Sequence, residues 1–437
     1  FSHGTHAEHA EVIRAIRAGE ASWGRPITIL QDLQGPKVRL GTFVGGQAML
    51  TPGEHFVLTG RTVKGTASRS SLNHPEFLAA LRPGDAVWMD DGMIQLVVEK
   101  VEDGEVECQV VSGGPVSDHK GVSFPRLPVP VSCLAEKDRE DLRFGIEQAV
   151  DYVAISFVRS AADIQEVRKF LHDQGANIPI VAKLERAEIV ANLGGILTLV
   201  DAVMVARGDL GVEMPLEKVP GIQKQITRMA RRAGKPVVVA TQMLESMRFS
   251  PAPTRAEVTD VANAVAEGAD AVMLSAETAS GEYPLEAVQM MSKIIRQVEN
   301  GPDYQAQLDV SRPKAEATVS DAISCAIRRI SNVLPVAVLV NYSESGTSSL
   351  RAARERPTVP ILNLTPNLQT ARRLTVAWGV HSVVNDRLRQ GGEVCSTALE
   401  IAQAQGMAQR GDTLLITAGV PFGQPGSTNS LRIEILI

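Results

Sequence analysis

The sequence predicts an α/β protein built around a (β/α)8 barrel, with a small β-barrel lid inserted into it and an α/β domain at its C-terminal end. Apolar strands alternate with amphipathic helices in the first 300 residues, whereas residues 41–123 lack long helical periodicity and are rich in Gly and Val. A second alternating region begins near residue 301. The chain has 437 residues, of which 44% are hydrophobic, so it contains enough apolar material for several cores.

Six short apolar segments in the first region are predicted strands, at residues 27–32, 152–157, 178–185, 202–209, 236–242 and 271–277. Strands of this kind, separated by helical segments such as 161–174 and 220–233, are typical of a parallel sheet covered on both faces. A doubly wound open sheet is the alternative. Because a closed barrel needs eight strands, we expect two further strands before Phe1 in the complete protein. Residues 1–4 resemble the end of a strand that runs into a helix capped by Thr5.

The predicted domains follow from these patterns. The barrel comprises residues 1–40 and 124–300, and the inserted lid comprises residues 41–123, with strands near 85–90, 94–99 and 106–111. The C-terminal α/β domain comprises residues 301–437, with a helix at 320–331 and strands at 336–341, 413–418 and 433–437.

Composition excludes several classes of protein. The 44 basic and 50 acidic side chains leave a net charge of −6, and only 4% of residues are aromatic, which argues against a nucleic-acid or anionic-membrane binder. No apolar run approaches the roughly 18 residues that span a bilayer.

The four cysteines form no CxxC pair, as expected for reduced thiols in a cytoplasmic protein. The Walker A motif and the GxGxxG fingerprint are both absent from the sequence.

Charged residues at predicted strand ends suggest a phosphoryl-transfer or enolate site. Lys183 and Glu185 alternate by two, so both point to one face of their strand. Together with Asp209, Glu185 offers oxygen ligands for Mg²⁺ or Mn²⁺. Gly208, before an expected helix start, and Thr241, at the next strand end, add an amide and a hydroxyl for a carboxylate or phosphate. The alternative is an ion pair that closes the barrel mouth.

A series of sequence blocks lies at 1–4, 32–39, 90–92, 120–122, 155–158, 181–185, 204–211, 240–247, 253–257, 273–278, 378–380 and 426–429. In their order and context, these blocks give the chain a resemblance to the pyruvate kinase family over essentially its whole length. It implies a barrel, a lid and a regulatory domain, usually assembled as a homotetramer in the cytoplasm. It also implies transfer of the phosphoryl group from phosphoenolpyruvate to ADP, which yields pyruvate and ATP.

The resemblance assigns roles residue by residue. Lys183 would stabilise the phosphoryl group, and Glu185 and Asp209 would bind the divalent cation. Gly208, Asp209 and Thr241 would hold the substrate carboxylate, with Thr241 near the site where the enolate is protonated. The residues expected at the nucleotide are Arg39, which is also expected to act in catalysis, His3 and Lys120, with Asp91 in the lid closing the site.

Two departures from the family pattern affect the expectations. The family carries an Arg and an Asn just before the block at residues 1–4, so we expect this sequence to be N-terminally incomplete. In the monovalent-cation region, which includes Ser2 and Asp32, the chain has Leu33, Gln34 and Lys37 where potassium-dependent members typically carry Thr, Lys and Glu. This combination resembles the potassium-independent branch of the family. The physical argument agrees, because the Lys37 ammonium can supply the positive charge that K⁺ would bring near the phosphates.

A Ser-, Thr- and Gly-rich loop in the C-terminal domain occupies the position where family members bind an effector phosphate. Its residues Ser343, Ser345, Gly346, Thr347 and Ser348 predict a sugar-phosphate or nucleotide effector, although helix capping explains the composition equally well. Two other functions remain open at this point: a Mg²⁺-dependent barrel that cleaves or rearranges phosphoenolpyruvate-like or oxaloacetate-like acids, and a catalytically silent sensor that retains the fold.

Overall fold

The N-terminal segment forms one long helix followed by a short strand. The computed structural model describes residues 1–90, 92–125, 127, 131–186, 189–386, 394–419 and 428–436. Helix α1 (His6–Trp23) begins at Thr5, whose hydroxyl accepts the Glu8 amide while the Glu8 carboxylate accepts the Thr5 amide. Strand β1 (Leu30–Asp32) follows. No strand is assigned at residues 1–4, where Gly4 adopts a φ of +77° just before the cap of α1.

The inserted lid is a separate β structure with its own apolar core. Its six-stranded sheet has the order β4-β3-β7-β6-β5-β9, and β2 pairs with β8 beside it. Strands β5, β6 and β7 correspond to the three strands predicted here. The lid strands are β2 (Gln47–Leu50), β3 (His55–Thr59), β4 (Arg69–Ser71), β5 (Ala86–Met89), β6 (Ile94–Glu102), β7 (Glu105–Ser112), β8 (Gly114–Ser117) and β9 (Val122–Ser123).

The barrel domain continues with five more strands separated by helices. Their elements are α2 (Glu136–Glu147), β10 (Tyr152–Ile155), α3 (Ala161–Asp173), β11 (Ile180–Leu184), α4 (Ile189–Leu199), β12 (Ala202–Ala206), α5 (Arg207–Glu213), α6 (Val219–Arg232), β13 (Val237–Ala240), α7 (Arg255–Ala266), β14 (Ala271–Val272), α8 (Ala276–Ala279) and α9 (Pro284–Glu299). The six strands are parallel neighbours in strict chain order, β1-β10-β11-β12-β13-β14. A doubly wound sheet would reverse its strand order, so this alternative is excluded.

Two predicted strands end three or more residues earlier than expected. The strand predicted at 202–209 ends at Ala206, and Arg207, Gly208 and Asp209 lie in α5, so Gly208 does not precede the helix but belongs to it. The strand predicted at 271–277 ends at Val272. There the buried Glu277 carboxylate accepts the amides of Ser275 and Leu244, which turns the chain into α8.

The C-terminal domain is a five-stranded sheet flanked by helices. Its order is β17-β16-β15-β18-β19, and among the described strands of this sheet β19 alone runs antiparallel to its neighbour. The elements are α10 (Tyr304–Val310), α11 (Val319–Ser331), β15 (Val336–Tyr342), α12 (Thr347–Glu355), β16 (Ile361–Thr365), α13 (Leu368–Arg373), β17 (Val380–Val384), α14 (Val394–Ala404), β18 (Thr413–Gly419) and β19 (Thr428–Ile435).

Charged contacts join the barrel to the C-terminal domain. The fully buried Arg356 binds Asp270, just before β14, at 2.9 Å, and Arg372 pairs with Glu20 of α1. Within the part of the chain that the structure describes, no helix combines the length and apolarity needed to cross a bilayer.

Candidate active site

Lys183 lies at the centre of a polar cluster at the carboxyl ends of β1, β10 and β11. Its Nζ lies 2.9 Å from Glu185 Oε1 and 3.2 Å from Asp32 Oδ1, and it donates to Ser156 Oγ at 2.8 Å. The Lys183–Glu185 contact agrees with the prediction that both residues face the same side of their strand. Parallel pairing brings Asp32 and Ser156 to the same rim, because strand ends align in a parallel sheet.

The electrostatics of the cluster favour a charged Lys183. Burial alone would lower the pKa of Lys183, but Glu185 and Asp32 outweigh it and raise that pKa above its ordinary value. Burial raises the pKa of Glu185, the Lys183 ammonium opposes that effect, and the nearby Asp209 carboxylate adds to it. Glu185 Oε2 also accepts the Phe157 amide at 2.8 Å. Glu185 and Asp209 line the same cleft, and carboxylate oxygens are the ligands that suit a hard divalent cation such as Mg²⁺.

Thr241 and Gly208 form a second part of the site, at the ends of β13 and β12. The Gly208 amide donates to Thr241 Oγ1 at 2.8 Å, and this hydroxyl donates to the Ala240 carbonyl at 2.6 Å. The predicted amide donor is therefore bonded to the predicted hydroxyl in this structure. Thr241 has a φ of +70°, which is rare for a β-branched residue and indicates local backbone strain.

Arg207, a charged residue at the end of a predicted strand, holds this strained turn, a role that the sequence pattern did not predict. Its Nη2 donates to the Thr241 carbonyl at 2.6 Å and its Nε to the Ala240 carbonyl at 3.3 Å. Its Nη1 contacts both carboxylate oxygens of Asp260, at 2.7 and 2.6 Å. The signal available in the sequence was a charged residue directly after an apolar strand. Its partner lies 53 residues away, beyond the reach of local patterns.

The monovalent-cation region predicted from the sequence is divided between the site and other parts of the fold. A cleft of about 60 Å³ lies between the barrel mouth and the base of the lid, and Lys37, Glu185 and Asp209 all contribute to its wall. Asp32 contacts Lys183. Leu33, however, is buried in the barrel core, and Ser2 is exposed at the surface.

The three predicted nucleotide residues lie apart from the Lys183 cluster. Arg39 Nη1 donates to the His119 carbonyl at 2.9 Å, and Lys120 Nζ pairs with Asp90 in the lid at 2.6 Å. His3 is exposed and its carbonyl accepts from His9 Nε2 at 2.9 Å. Among the described residues, no contact joins any of the three to Lys183. Asp91 lies outside the described residues.

The 343–348 loop links β15 to the first turn of α12. Gly346 takes a φ of +84°, and its amide donates to Ser343 Oγ at 3.0 Å. The hydroxyls of Ser345 and Thr347 lie 3.0 Å apart on one side of the loop. The Ser348 hydroxyl contacts that of Thr428, so it faces a different part of the domain.

Comparison with known proteins finds similarity along the whole chain. Residues 1–288 match the family described as pyruvate kinase, barrel domain, and residues 321–434 match pyruvate kinase, alpha/beta domain. A pyruvate kinase of Methylorubrum extorquens is 48% identical over 436 residues, which cover 100% of this chain and 91% of the relative. A pyruvate kinase of Agrobacterium vitis is 45% identical over 435 residues, covering 99% of this chain and 89% of the relative. A crystal structure of a pyruvate kinase from Cryptosporidium parvum superposes with a TM-score of 0.93 at 32% identity, and covers 100% of this chain and 90% of that one.

Proposed function

The chain belongs to the pyruvate kinase family, and from this premise we propose how its residues carry out the family's reaction. The enzyme is a phosphotransferase of glycolysis that transfers the phosphoryl group of phosphoenolpyruvate to ADP, yielding pyruvate and ATP. The alternatives of a lyase-like barrel and a silent sensor are set aside. The observation that supports the residue roles best is the convergence of Glu185, Asp32 and Ser156 on Lys183.

Glu185 and Asp209 would hold Mg²⁺, the ion that the family generally uses, or Mn²⁺. The site suits such an ion because both side chains offer oxygen atoms and line the same cleft. When bound, a divalent cation neutralises negative charge on phosphoryl oxygens. The Phe157 amide, which donates to Glu185, orients that carboxylate toward the cleft.

Lys183 would stabilise the charge on the phosphoryl group during transfer. Its ammonium is held by three oxygen partners and its side chain is only 14% exposed, so its position is set before substrate binds. Phosphoryl transfer depends mainly on positioning and on neutralisation of charge. A buried, pre-oriented cation supplies both, and it does so more strongly than a solvated one would.

Thr241, with Gly208 and Asp209, would bind the carboxylate of phosphoenolpyruvate. The Thr241 hydroxyl bonds the Gly208 amide and the Ala240 carbonyl, which fixes the position of its oxygen at the rim. A hydroxyl held there is also suited to direct a proton toward the enolate after transfer.

The nucleotide would be bound by Arg39, His3 and Lys120. Lys120 pairs with Asp90 in the lid, so contact with the nucleotide requires this ammonium to leave or share that carboxylate. Arg39 belongs to the segment that connects barrel and lid, where it bridges to Gly121. Lid movement would therefore carry both residues toward the cleft. Asp91 retains its predicted role in closure.

Lys37 would replace K⁺, so that catalysis needs no added monovalent cation. One feature supports this proposal: Lys37 is half-buried in the wall of the cleft that also contains Glu185 and Asp209. An ammonium there supplies positive charge near the phosphates.

The remaining proposals concern the context of the enzyme. As in the family generally, the enzyme would assemble as a homotetramer in the cytoplasm. The domain boundaries proposed from the sequence follow the order of strands and helices along the chain. The 343–348 loop would contact a sugar-phosphate or nucleotide effector through Ser343, Ser345, Gly346, Thr347 and Ser348. Support for this site comes from its hydroxyl groups and its position before α12.

A coupled assay for pyruvate from phosphoenolpyruvate and ADP tests these roles in the full-length enzyme. Lys183→Met should lower kcat by about 10³-fold or more, since a cationic side chain at a phosphoryl-transfer transition state is typically worth about 10³–10⁵ in kcat. Chelation of divalent ions by EDTA should abolish turnover of the wild type, and added Mg²⁺ should restore it. Lys100→Met, which removes an exposed lid lysine, is the matched control and should retain activity. Near-normal turnover of Lys183→Met would contradict its role, whereas absence of pyruvate with the wild type would contradict the function itself.

A further inference from the structure

Helix α5, which carries the proposed metal ligand Asp209, has only seven residues. A helix this short is not stable by itself, so its orientation depends on contacts with the rest of the fold. Its first residue, Arg207, is held by Asp260 and by the Thr241 carbonyl. The contacts of its last residue, Glu213, therefore decide how the other end of α5 is placed.

Glu213 forms a buried ion pair with Arg186. Arg186 Nη1 lies 3.3 Å from Glu213 Oε1, and the two side chains are only 5% and 8% exposed, so solvent screens their attraction little. Arg186 directly follows Glu185, the other proposed metal ligand, just beyond the end of β11. The ion pair therefore joins the two segments of the chain that carry Glu185 and Asp209.

The spacing of these residues along the chain places the ion pair beside the two metal-binding carboxylates. Asp209 and Glu213 are four residues apart in α5, which puts them one turn apart on the same face of the helix. Glu185 and Arg186 are consecutive, and all four residues line the cleft at the barrel mouth. A change in the contact between Arg186 and Glu213 would therefore change the separation between the Glu185 and Asp209 carboxylates.

Arg186 also contacts the segment by which the chain returns from the lid to the barrel. Its Nη2 donates to the Leu127 carbonyl at 3.0 Å, and this hydrogen bond is buried. Leu127 packs in the apolar core of the lid, four residues after β9. The planar guanidinium holds α5 and the lid segment at once, whereas the compact ammonium group of a lysine would not reproduce this geometry.

Stability alone is a weak explanation for a buried ion pair at this position. Transfer of two charges out of water costs free energy that their attraction repays only in part, so apolar side chains of similar volume are often at least as stabilising. An ion pair does, however, fix the direction of two side chains. Between Arg186 and Glu213 it does so at the point where β11 and α5 present their carboxylates to the cleft.

We propose that Arg186 is a positioning residue that, through Glu213, sets the separation of Glu185 and Asp209 for a divalent cation. The proposal rests on the proposed function, which assigns those two carboxylates to the cation. Arg186 would not touch the cation itself, because like charges repel. Loss of a group that orients metal ligands typically costs about 10- to 100-fold in metal affinity.

Binding of Mn²⁺ to the full-length enzyme, followed by electron paramagnetic resonance of the free ion, tests the proposal without turnover. Arg186→Met should raise the Kd for Mn²⁺ about 10- to 100-fold. Arg186→Lys, which keeps the charge but not the planar donors, should lie between wild type and Arg186→Met. Arg168→Met is the matched control, because Arg168 also holds a carboxylate and backbone carbonyls but lies at the opposite end of the barrel; it should bind Mn²⁺ like the wild type.

The direction of the effect separates positioning from simple electrostatics. Loss of the positive charge of Arg186 would by itself favour Mn²⁺ and lower its Kd, whereas loss of positioning raises the Kd. Glu213→Gln should also raise the Kd. Because the two residues act through one contact, the double variant Arg186→Met/Glu213→Gln should bind Mn²⁺ no more weakly than Arg186→Met alone. A Kd in the double variant that multiplies the two single effects would refute an action of Arg186 through Glu213.

Denaturation midpoints in urea, measured on the same preparations, separate positioning from stability. If Arg186→Met loses stability but binds Mn²⁺ as tightly as the wild type or more tightly, Arg186 has only a structural role and the proposal is refuted. If Arg186→Met does not fold, Arg186→Lys and Glu213→Gln decide the question, and wild-type affinity for Mn²⁺ in both variants refutes the proposal.

Glu185→Gln tests the proposed function separately from the role of Arg186. If the wild type binds no Mn²⁺, or if Glu185→Gln binds it as tightly as the wild type, the assignment of the metal ligands is wrong and the positioning role is overturned with it. Weak binding by Glu185→Gln, together with wild-type binding by the Arg186 variants, would overturn the positioning role alone.

Discussion

The contact between Arg207 and the strained turn at Thr241 makes a quantitative prediction. Replacing Arg207 by Met removes the two donors that hold the carbonyls of Thr241 and Ala240, and leaves Asp260 without its partner. The Arg207 side chain is 10% exposed and Asp260 is 36% exposed, so this pair is only partly buried. Loss of a fully buried pair costs about 3–5 kcal/mol. Because this pair is only partly buried, we expect Arg207→Met to decrease the free energy of unfolding by no more than the lower end of that range.

The same substitution should also reduce turnover. A residue in the left-handed region carries about 1–3 kcal/mol of strain. Without the Arg207 clamp this strain favours relaxation of Thr241, which moves its hydroxyl away from the position set by the Gly208 amide. At about 1.4 kcal/mol per tenfold in rate, kcat should fall roughly 5- to 150-fold. Arg207→Lys, which keeps the charge but not the planar donors, should lie between wild type and Arg207→Met.

The assay compares kcat, the KM for phosphoenolpyruvate and the denaturation midpoint in the same preparations. Arg168 provides the matched control, because it holds the carbonyls of Leu199 and Ile178 and pairs with Asp201 at the opposite end of the barrel. Arg168→Met should lower stability while kcat stays near the wild-type value. If Arg207→Met also loses stability but keeps its kcat, Arg207 has only a structural role and the positioning argument is refuted.

Two further predictions concern monovalent cations and pH. The wild type should be active without added K⁺, and Lys37→Glu should make turnover depend on K⁺. A wild-type enzyme that is inactive until K⁺ is added would contradict the proposed role of Lys37. For Glu20, burial would raise the pKa, but Arg372 and the Ile27 amide outweigh it and hold that pKa below the ordinary value of 4.5. Because the folded pKa is depressed, the stabilisation by Glu20 is complete above pH 4.5 and is lost as pH falls through the folded pKa. Glu20→Gln should therefore destabilise the protein at pH 7, by about 1.5–3 kcal/mol, and have little effect near pH 2; an equal loss at both pH values in urea titrations would contradict this reasoning.

Local patterns predicted much of the fold and part of the site. The alternation of Lys183 and Glu185 placed both on one face, as their 2.9 Å contact shows. The capping role of Thr5 was also readable from nearby residues. The extent of the strand before Asp209 was not, because an apolar run followed by polar residues is compatible with either a longer strand or a helix start.

Long-range contacts were beyond the reach of sequence patterns. Asp32, Ser156 and Lys183 lie on three different strands, and their contact depends on the parallel register that aligns the strand ends. The same holds for Arg207 and Asp260. The position of Leu33 in the barrel core, rather than at the cleft, likewise depends on how the sheet curves.

The sequence by itself determined the order of strands and helices, the insertion of the lid and the polar residues at the strand ends. These features depend on periodicity and alternation among neighbouring residues, which the covalent chain sets directly. Only the tertiary structure decided which polar groups meet, that Arg207 restrains Thr241, and that buried arginines converge between the barrel and the C-terminal domain. Such contacts join residues far apart in the chain, so they exist only once strand register and domain packing have brought those residues together.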